Sequence, residues 1–402
     1  MPERGTGKRN AVISEILPLS AKQFITAIIM RPADKNRIVH AIEATLVPGM
    51  GSRIRNHLLK TIPDISELFS MGSRTLDSLG IPRETQAAIR SRAMKENAAE
   101  VFDRAIHEDF SFLVYRDAGY PPLLGEIYDP PLVLYARGQL DILTRTCLAV
   151  VGARNPTAYG LHVAQAIAAD LGSRGMTVVS GLARGIDAAA HRGCVEAKGT
   201  TVAVLGCGID IVYPREHKRL AETIGRKGLL LSEFIPGTPP APHNFPARNR
   251  IISGLSAGTL IIEATENSGS LITARLAMEQ NREVYAVPGN ITSPQSRGPN
   301  FLIKQGAKLV QTWKDIVEEL PPAMRNGIAI ADDPIPPAGP ETSTLSDSAI
   351  RLLELLKVDE AIHFDMIYRR GGFSVSELSE LLFGLETGGR IRQLPGNLYV
   401  KV

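Results

Sequence analysis

Loops that combine glycine with arginine recur along the middle of the chain and suit the binding of phosphate. In VVGARNPTAYG, Gly152 allows a tight turn after an apolar run, Arg154 supplies a fixed positive charge and Thr157 can cap the following helix. A helix N-terminus offers N–H donors to an anion, and a guanidinium adds paired hydrogen bonds. The loop therefore predicts an anion site. An ordinary turn with a solvated arginine is the alternative.

The segment HNFPARNRIISGL brings an aromatic ring next to arginine side chains. Phe245 precedes a proline, which favours an extended backbone and a ring presented from a loop. Arg248 and Arg250 flank Asn249 at the start of a helical turn. A ring can stack on an unpaired base for about 1–3 kcal/mol, while arginines follow the phosphates. The segment predicts contact with a single strand; for Phe245, a core aromatic under a loop is the alternative.

Further loops carry groups that suit an anion. SGLARGID contributes a second loop arginine, ENSGSLITARL opens a helix with small polar residues, and SRGPNFLIKQG adds a lysine. A solvated helix start is the alternative for each of them. The candidate residues in these loops are Arg184, Ser268, Gly269, Ser270 and Lys304.

The arrangements that usually carry catalysis are missing from the sequence. There is no GxSxG or HExxH motif, no paired carboxylates on one predicted loop, and GARNPTAYG does not have the GxGxxG spacing of dinucleotide sites. Asp187 and His191 lie one helical turn apart, a spacing that more often marks a structural hydrogen bond than an acid and base. The 3 cysteines, Cys147, Cys194 and Cys207, have no metal-ligand spacing. We predict binding without turnover, cofactor or metal.

Apolar runs alternating with amphipathic helices position these loops. Runs rich in Val, Leu and Ile, without polar alternation, are typical of parallel strands covered on both faces. They predict an extended Rossmann-like, mostly parallel, doubly wound α/β sheet over residues 106–320, with the candidate loops at the carboxyl edge of its strands. The predicted strands are residues 147–153, 177–183, 201–206, 229–234, 259–264 and 283–289.

Helices separated by glycine turns occupy residues 1–105. LVPGMGSRIRNHLL and LFSMGSRTLDSLG repeat a glycine-bearing turn followed by a helix. They resemble the helix-hairpin-helix elements of a small SAM-like domain, whose free N–H groups suit a phosphate. Plain turns in a small helical bundle explain the pattern equally well, so both interpretations stay open.

The end of the chain predicts a linker and a small domain. Residues 321–344 are rich in Pro, Gly and Asp, which indicates a linker. Residues 345–402 give three helices and a hairpin, the plan of a winged-helix domain. Its third helix, SVSELSELLFGLETGG, carries Glu377, Glu380 and Glu386 but no Lys or Arg, which favours a protein partner over a phosphate backbone.

The overall composition is typical of a folded globular protein. The chain has 402 residues, of which 44% are hydrophobic and 22% charged, with a formal net charge of +3. That charge neither requires nor excludes a polyanionic partner. The first residues make a poor signal peptide, and no run approaches the roughly 18 apolar residues of a membrane span. We therefore predict a cytoplasmic protein.

Several motifs, in order, closely resemble the DNA-processing protein A (DprA, or Smf) family. They include GARNPTAYG, SGLARGIDAAAH, SEFIPGTPP, NFPARNRIISGLS, SGSLITARLA and GPNFLIKQGA, spread over about residues 107–312. The resemblance implies an extended Rossmann fold that forms a homodimer and binds single-stranded DNA without sequence preference. It also implies loading of the RecA recombinase during natural transformation and recombination.

The resemblance assigns roles to particular residues. Arg154 matches the family's DNA-contacting arginine in its glycine-rich loop. Many members have a lysine three residues before the phenylalanine, where this chain has Pro242, so the positive charge that the family places there is replaced by an uncharged side chain. The residues that match the FPxRNR segment are Phe245, Arg248, Asn249 and Arg250.

Two other functions compete with DNA binding. SGLSAGTLIIEA is similar to the GGxGTxxE signature of phosphoribohydrolases of the lysine-decarboxylase-like group, with Glu263 at the acidic position. It lacks the double glycine, so shared ancestry of the fold is favoured over shared catalysis. A scaffold that binds only proteins would instead have no affinity for DNA.

Overall fold

A computed structural model describes most of the chain. The described residues are 32–329, 346–358, 360–387, 389–394 and 396–401. The predicted linker, residues 321–344, lies outside them from residue 330 onward. The part of it that is described packs on the central domain, where Ile328 is buried in an apolar cluster. The domain boundaries themselves remain predictions.

The centre of the molecule is a 9-stranded sheet in the order β1-β2-β6-β5-β4-β3-β7-β8-β9. β1 pairs antiparallel with β2, and β2 with β6, whereas all the other pairs are parallel. The mostly parallel sheet is confirmed, and the antiparallel edge was not predicted. The strands are β1 (Ser111–Val114), β2 (Val133–Gly138), β3 (Cys147–Val151), β4 (Thr177–Ser180), β5 (Thr200–Val204), β6 (Leu229–Ser232), β7 (Gly258–Ile261), β8 (Glu283–Ala286) and β9 (Lys308–Leu309).

Helices cover both faces of this sheet. In β3, Leu148 packs in one buried cluster with Ile167, whereas Ala149 packs in a second cluster with Ile251 on the opposite face. Burial on both faces explains why the strand sequence is continuously apolar. The later helices, numbered after five N-terminal ones, are α6 (Pro122–Gly125), α7 (Ala158–Ser173), α8 (Ile186–Glu196), α9 (Lys218–Lys227), α10 (Asn244–Gly254), α11 (Gly269–Glu279), α12 (Arg297–Lys304) and α13 (Trp313–Glu319).

The N-terminal helices share an apolar core with the sheet. Ile42 and Leu58 belong to the same buried cluster as Ala203 and Leu205, which lie in and just after β5. The predicted glycine turns are present, since helices begin directly after Gly51 and Gly72; phosphate binding by them stays a prediction. The helices are α1 (Pro32–Leu46), α2 (Ser52–Thr61), α3 (Ser73–Ser78), α4 (Arg83–Ser91) and α5 (Lys95–His107).

The C-terminal region has the predicted winged-helix plan. Its small sheet has 3 strands in the order β10-β12-β11, and its helices enclose a separate apolar core. The third helix exposes its three acidic side chains, Glu377, Glu380 and Glu386. Their binding to a protein partner stays a prediction. The elements are α14 (Asp347–Leu355), β10 (Ile362–His363), α15 (Phe364–Gly371), α16 (Val375–Thr387), β11 (Ile391–Leu394) and β12 (Leu398–Lys401).

The strand order creates a switch point beside β3. β3 lies between β4 and β7, so the chain leaves β3 toward one half of the sheet and later returns to the other half. Loops diverge at such a point and leave a crevice beyond the carboxyl ends of the strands. The candidate loops that follow β3, β4 and β7 all meet at this crevice.

Candidate nucleic-acid interface

A cavity of about 550 Å³ occupies the crevice at the switch point. The loops after β3 and β7 and the start of α10 form its walls. Most of the predicted site residues line it: Gly152, Arg154, Phe245, Arg248, Asn249, Ser268, Gly269 and Ser270. Pro242, at the position of the family lysine, also lines the cavity and is exposed.

An arginine and two aromatic rings form one wall of the cavity. The exposed Arg154 guanidinium lies over the Phe245 ring, with its carbon 5.5 Å from the ring centre. The Tyr213 ring lies on the same phenylalanine, with 5.5 Å between ring centres. Among the described residues that line the cavity, Arg154 is the only exposed cation. This wall therefore offers one charge for a phosphate and aromatic surface for a base.

Phe245 lies in the first turn of α10, so the predicted extended backbone is wrong. Pro246 fits there because the N–H it lacks would have no partner within the first helical turn. The Phe245 ring is half-buried and packs so closely on Gly206 that a Cβ at Gly206 would lie 2.7 Å from it. One side of the Phe245 ring is packed and the residue lines the cavity, so stacking of the ring on a base stays a prediction.

Arg248 lies beneath the cavity and does not project freely from it. Its side chain is only 4% exposed, and it donates hydrogen bonds to the carbonyl oxygens of Gly181 and Val204. Burial lowers the pKa of Arg248 to about 10, although the nearby carboxyl of Asp187 acts in the opposite direction. The guanidinium is bonded to the protein itself and is not free, so a contact between Arg248 and DNA stays a prediction.

Arg250 points away from the cavity and is also bonded within the protein. It forms ion pairs with Glu233 at 2.7 Å and with Asp129 at 3.3 Å, and its side chain is 13% exposed. Burial lowers its pKa, but the two carboxylates outweigh burial and hold the pKa above its ordinary value. Arg250 is therefore not a free cation at the cavity, and its predicted phosphate contact stays a prediction. Asn249, between the two arginines, does line the cavity.

Two other predicted cations lie outside the cavity wall. Arg184 is exposed at the same edge of the sheet, next to the lining residue Ala183, and is paired with Glu216. Because exposed ion pairs are weak, a contact between Arg184 and DNA stays a prediction. Lys304 is the last residue of α12 and does not line the cavity, so its contact with DNA stays a prediction.

The N-terminus of α7, predicted as an anion site, already holds a carboxylate of the protein. Glu263 is buried and accepts hydrogen bonds from the Thr157 backbone N–H at 2.8 Å and from the Thr157 hydroxyl at 2.5 Å. Thr157 caps the helix, as predicted, by accepting from Gly160 N–H. A Cβ at Gly152 would lie 2.8 Å from the Glu263 carbonyl, so this glycine is needed for close packing.

The start of α11 remains available to an anion. Ser268 caps the helix by accepting a hydrogen bond from the Ser270 N–H, and the two hydroxyl oxygens lie 2.7 Å apart. A Cβ at Gly269 would meet nothing within 4 Å, so the backbone there is open on the cavity side. These small residues allow a phosphate to approach the first N–H groups of the helix.

The remaining titratable groups near the cavity have structural partners. The Asp187 carboxylate accepts from the backbone N–H of Gly181 and Ala183, and burial raises its pKa. His191 bonds Thr201 instead of Asp187, and burial lowers its pKa to about 3. Both residues are structural, as predicted. Within the described residues no cluster of three or more potential metal ligands is present, and no helix is long and apolar enough to cross a membrane.

Tyr213 was missed by the sequence analysis. It follows β5, precedes a proline and is 41% exposed, so the argument that selected Phe245 applied to it equally. Its position in the loop after β5, at the same edge of the sheet, was the available signal.

We expect Tyr213→Leu to weaken binding of single-stranded DNA at least about fivefold, because stacking on one base contributes about 1–3 kcal/mol. Fluorescence anisotropy with labelled oligo-dT measures the effect. Tyr213→Phe keeps the ring and should bind as the wild type does. Equal binding by the leucine variant would remove Tyr213 from the interface.

Comparison with known proteins decides the family. Residues 111–321 match the family described as DNA recombination-mediator protein A, and residues 336–397 match the DprA winged helix domain. The chain belongs to the DprA/Smf family. The resemblance of its motifs to this family is thereby confirmed, and the DprA/Smf fold agrees with the observed sheet and winged helix.

Relatives and a solved structure support the same assignment. Protein Smf of Escherichia coli K12 is 43% identical over 290 residues, which cover 70% of this chain and 75% of that protein. DNA processing protein DprA of Bacillus subtilis 168 is 41% identical over 260 residues, covering 62% and 86% respectively. The X-ray structure of DprA from Streptococcus pneumoniae aligns with a TM-score of 0.61 at 34% identity, over 73% of this chain and 99% of that one. This chain is accordingly a DNA-processing protein of the DprA/Smf type.

Proposed function

We propose that this chain binds single-stranded DNA without sequence preference through the cavity at the switch point. The observation that carries the proposal is the wall on which Arg154 and Tyr213 both lie 5.5 Å from the Phe245 ring. A guanidinium next to exposed aromatic surface suits a strand whose bases are unpaired. Bases in a duplex are stacked on one another and cannot reach such a wall. No hydrogen-bond pattern specific to one base is needed for this mode of binding.

The proposal is one of binding without chemistry. The acidic group of the rival phosphoribohydrolase interpretation, Glu263, accepts hydrogen bonds from Thr157 through both of its oxygens. A carboxylate used in this way as a helix cap is poorly placed to act on a substrate. The same carboxylate occupies the helix N-terminus that a dinucleotide pyrophosphate would use in a Rossmann fold. We therefore propose a protein that uses neither a nucleotide cofactor nor a metal.

The cellular role follows from the family. DprA/Smf membership supports a homodimer that loads the RecA recombinase onto single-stranded DNA during DNA uptake, natural transformation and recombination. A cytoplasmic location fits this role. Loading of RecA would be supported if RecA co-purifies with the chain on immobilised oligo-dT and does not co-purify when the DNA is omitted.

We expect oligo-dT to bind at least about tenfold more tightly than a duplex of equal length, because a single stacked base contributes about 1–3 kcal/mol. Affinity should fall as salt rises, since each neutralised phosphate of a single strand contributes about 0.7 to the slope of log affinity against log salt. Anisotropy titrations over a salt series measure both quantities. Equal affinity for the duplex would contradict the proposal that bases stack on the Phe245 wall. If neither DNA binds, the interpretation of the chain as a scaffold for proteins would be favoured instead.

A further inference from the structure

Four charged side chains form a half-buried cluster between α10 and the N-terminal helices. Arg55 of α2 lies 2.8 Å from Asp129, which is 3.3 Å from Arg250 of α10, and Arg250 lies 2.7 Å from Glu233. Arg55 also approaches Glu233 at 3.7 Å. These side chains are 13–17% exposed, and their formal charges cancel. Water screens such pairs less than exposed ones, so the cluster fixes the relative positions of the elements that carry it.

The cluster is attached to the helix that forms the DNA-binding wall. Asn249 and Ile252, on either side of Arg250 in sequence, line the cavity, and Phe245 lies in the first turn of the same helix. The Arg250 carbonyl accepts a hydrogen bond from Gln280, which directly follows α11, and the first turn of α11 forms the opposite side of the cavity. Any rotation or shift of α10 would therefore move the stacking ring relative to Arg154.

We propose that Arg250 is a positioning residue for single-stranded DNA binding, and that Arg55 in the N-terminal helices helps to set the affinity of the cavity through it. The inference rests on the proposed function. Arg55 and Arg250 donate to the same carboxylate, Asp129, and so connect α2 to α10. The N-terminal helices then contribute to DNA binding by holding the wall in its binding geometry, without touching the DNA at this cluster.

The Asp129→Asn variant distinguishes the positioning role proposed for the cluster from an effect of net charge alone. Removing a negative charge near a DNA site strengthens binding to a polyanion if charge alone matters. If the cluster positions α10, Asp129→Asn should instead weaken oligo-dT binding, by about 3- to 30-fold given the usual coupling within ion-pair networks. The salt slope should stay at the wild-type value, because no phosphate contact is lost. Titrations are made well below the melting temperature, with folding checked by circular dichroism.

Arg55→Met tests the cluster from its far end and leaves Arg250 with both carboxylates. The Arg55→Met variant should bind oligo-dT more weakly than the wild type, with the same slope of log affinity against log salt. Lys95→Met, at an exposed lysine of α5 outside the glycine turns, removes the same charge and should bind as the wild type does. This pair decides the question if Asp129→Asn does not fold.

Three results would overturn the inference while the proposed function stands. The first is wild-type or tighter binding by folded Asp129→Asn. The second is a reduced salt slope in Arg55→Met, which would make Arg55 a direct phosphate ligand. The third is equal weakening by Lys95→Met and Arg55→Met, which would reduce the effect to net charge. Failure of the wild type to bind oligo-dT would instead overturn the proposed function, and this inference with it.

Discussion

Arg154→Ala should weaken binding of single-stranded DNA by about 10- to 100-fold, because a hydrogen bond between charged groups contributes about 1.5–3 kcal/mol. Arg154 is exposed, and among the described residues that line the cavity it is the only exposed cation. The slope of log affinity against log salt should fall by about 0.7, the contribution of one phosphate contact to a single strand. Anisotropy titrations with oligo-dT over a salt series measure both effects.

The same substitution should leave the fold almost unchanged. The Arg154 guanidinium lies over the Phe245 ring, and such contacts at exposed sites contribute about 0.5–1 kcal/mol. Urea unfolding should therefore show a loss of stability below about 1 kcal/mol. Arg192→Ala, at an exposed arginine of α8 outside this cavity, is the matched control and should keep wild-type affinity. A large loss of stability in Arg154→Ala would instead make Arg154 a structural residue.

The sequence predicted the sheet and the meeting point of the loops because those features have local signals. Each of the parallel strands β3 to β8 carries a continuous apolar run, which burial on both faces requires. The edge strand β1 is only four residues long, so it gave little signal, whereas β2 was missed although residues 132–136 form an apolar run as long as that of β3. Once the parallel strands were placed, the rule that ligands bind beyond their carboxyl ends located the cavity correctly.

The expectation that Arg248 and Arg250 both face the DNA did not follow from their placement at the start of a helical turn. On a helix, residues two apart project in nearly opposite directions. On α10 they are about 200° apart, which sends one beneath the cavity and the other toward the N-terminal helices. Their partners, Gly181 and Val204 for Arg248 and Asp129 and Glu233 for Arg250, are distant in sequence. No local pattern could reveal them.

The anion site predicted at the N-terminus of α7 likewise depends on a residue that is distant in sequence. The motif correctly predicted a helix N-terminus with free N–H groups and a capping threonine. The sequence could not show that Glu263, more than a hundred residues later, would supply the anion from within the protein. A helix N-terminus attracts negative charge whether the charge belongs to a ligand or to the chain itself. The available donors therefore lie at α11, where the cavity is open.

Arg248→Ala should have the opposite effect to Arg154→Ala, with a loss of stability of about 3–5 kcal/mol, as expected when one partner of a buried charged group is removed. The carbonyl oxygens of Gly181 and Val204 would lose their donor, and the buried carboxyl of Asp187 would lose a neighbouring cation. Urea unfolding at neutral pH measures the loss. Arg248→Lys keeps the charge without the forked geometry and should lose less.

The stability of Arg248→Ala should also depend on pH in a defined direction. Burial already raises the pKa of Asp187 above its ordinary value, and Arg248 opposes that rise. Without the arginine the pKa rises further, so the folded state binds more protons than the unfolded state, and stability increases as pH falls. The difference in free energy of unfolding between Arg248→Ala and the wild type should therefore become smaller as the pH falls. Wild-type stability at every pH, together with a reduced salt slope for oligo-dT, would show that Arg248 binds phosphate after all.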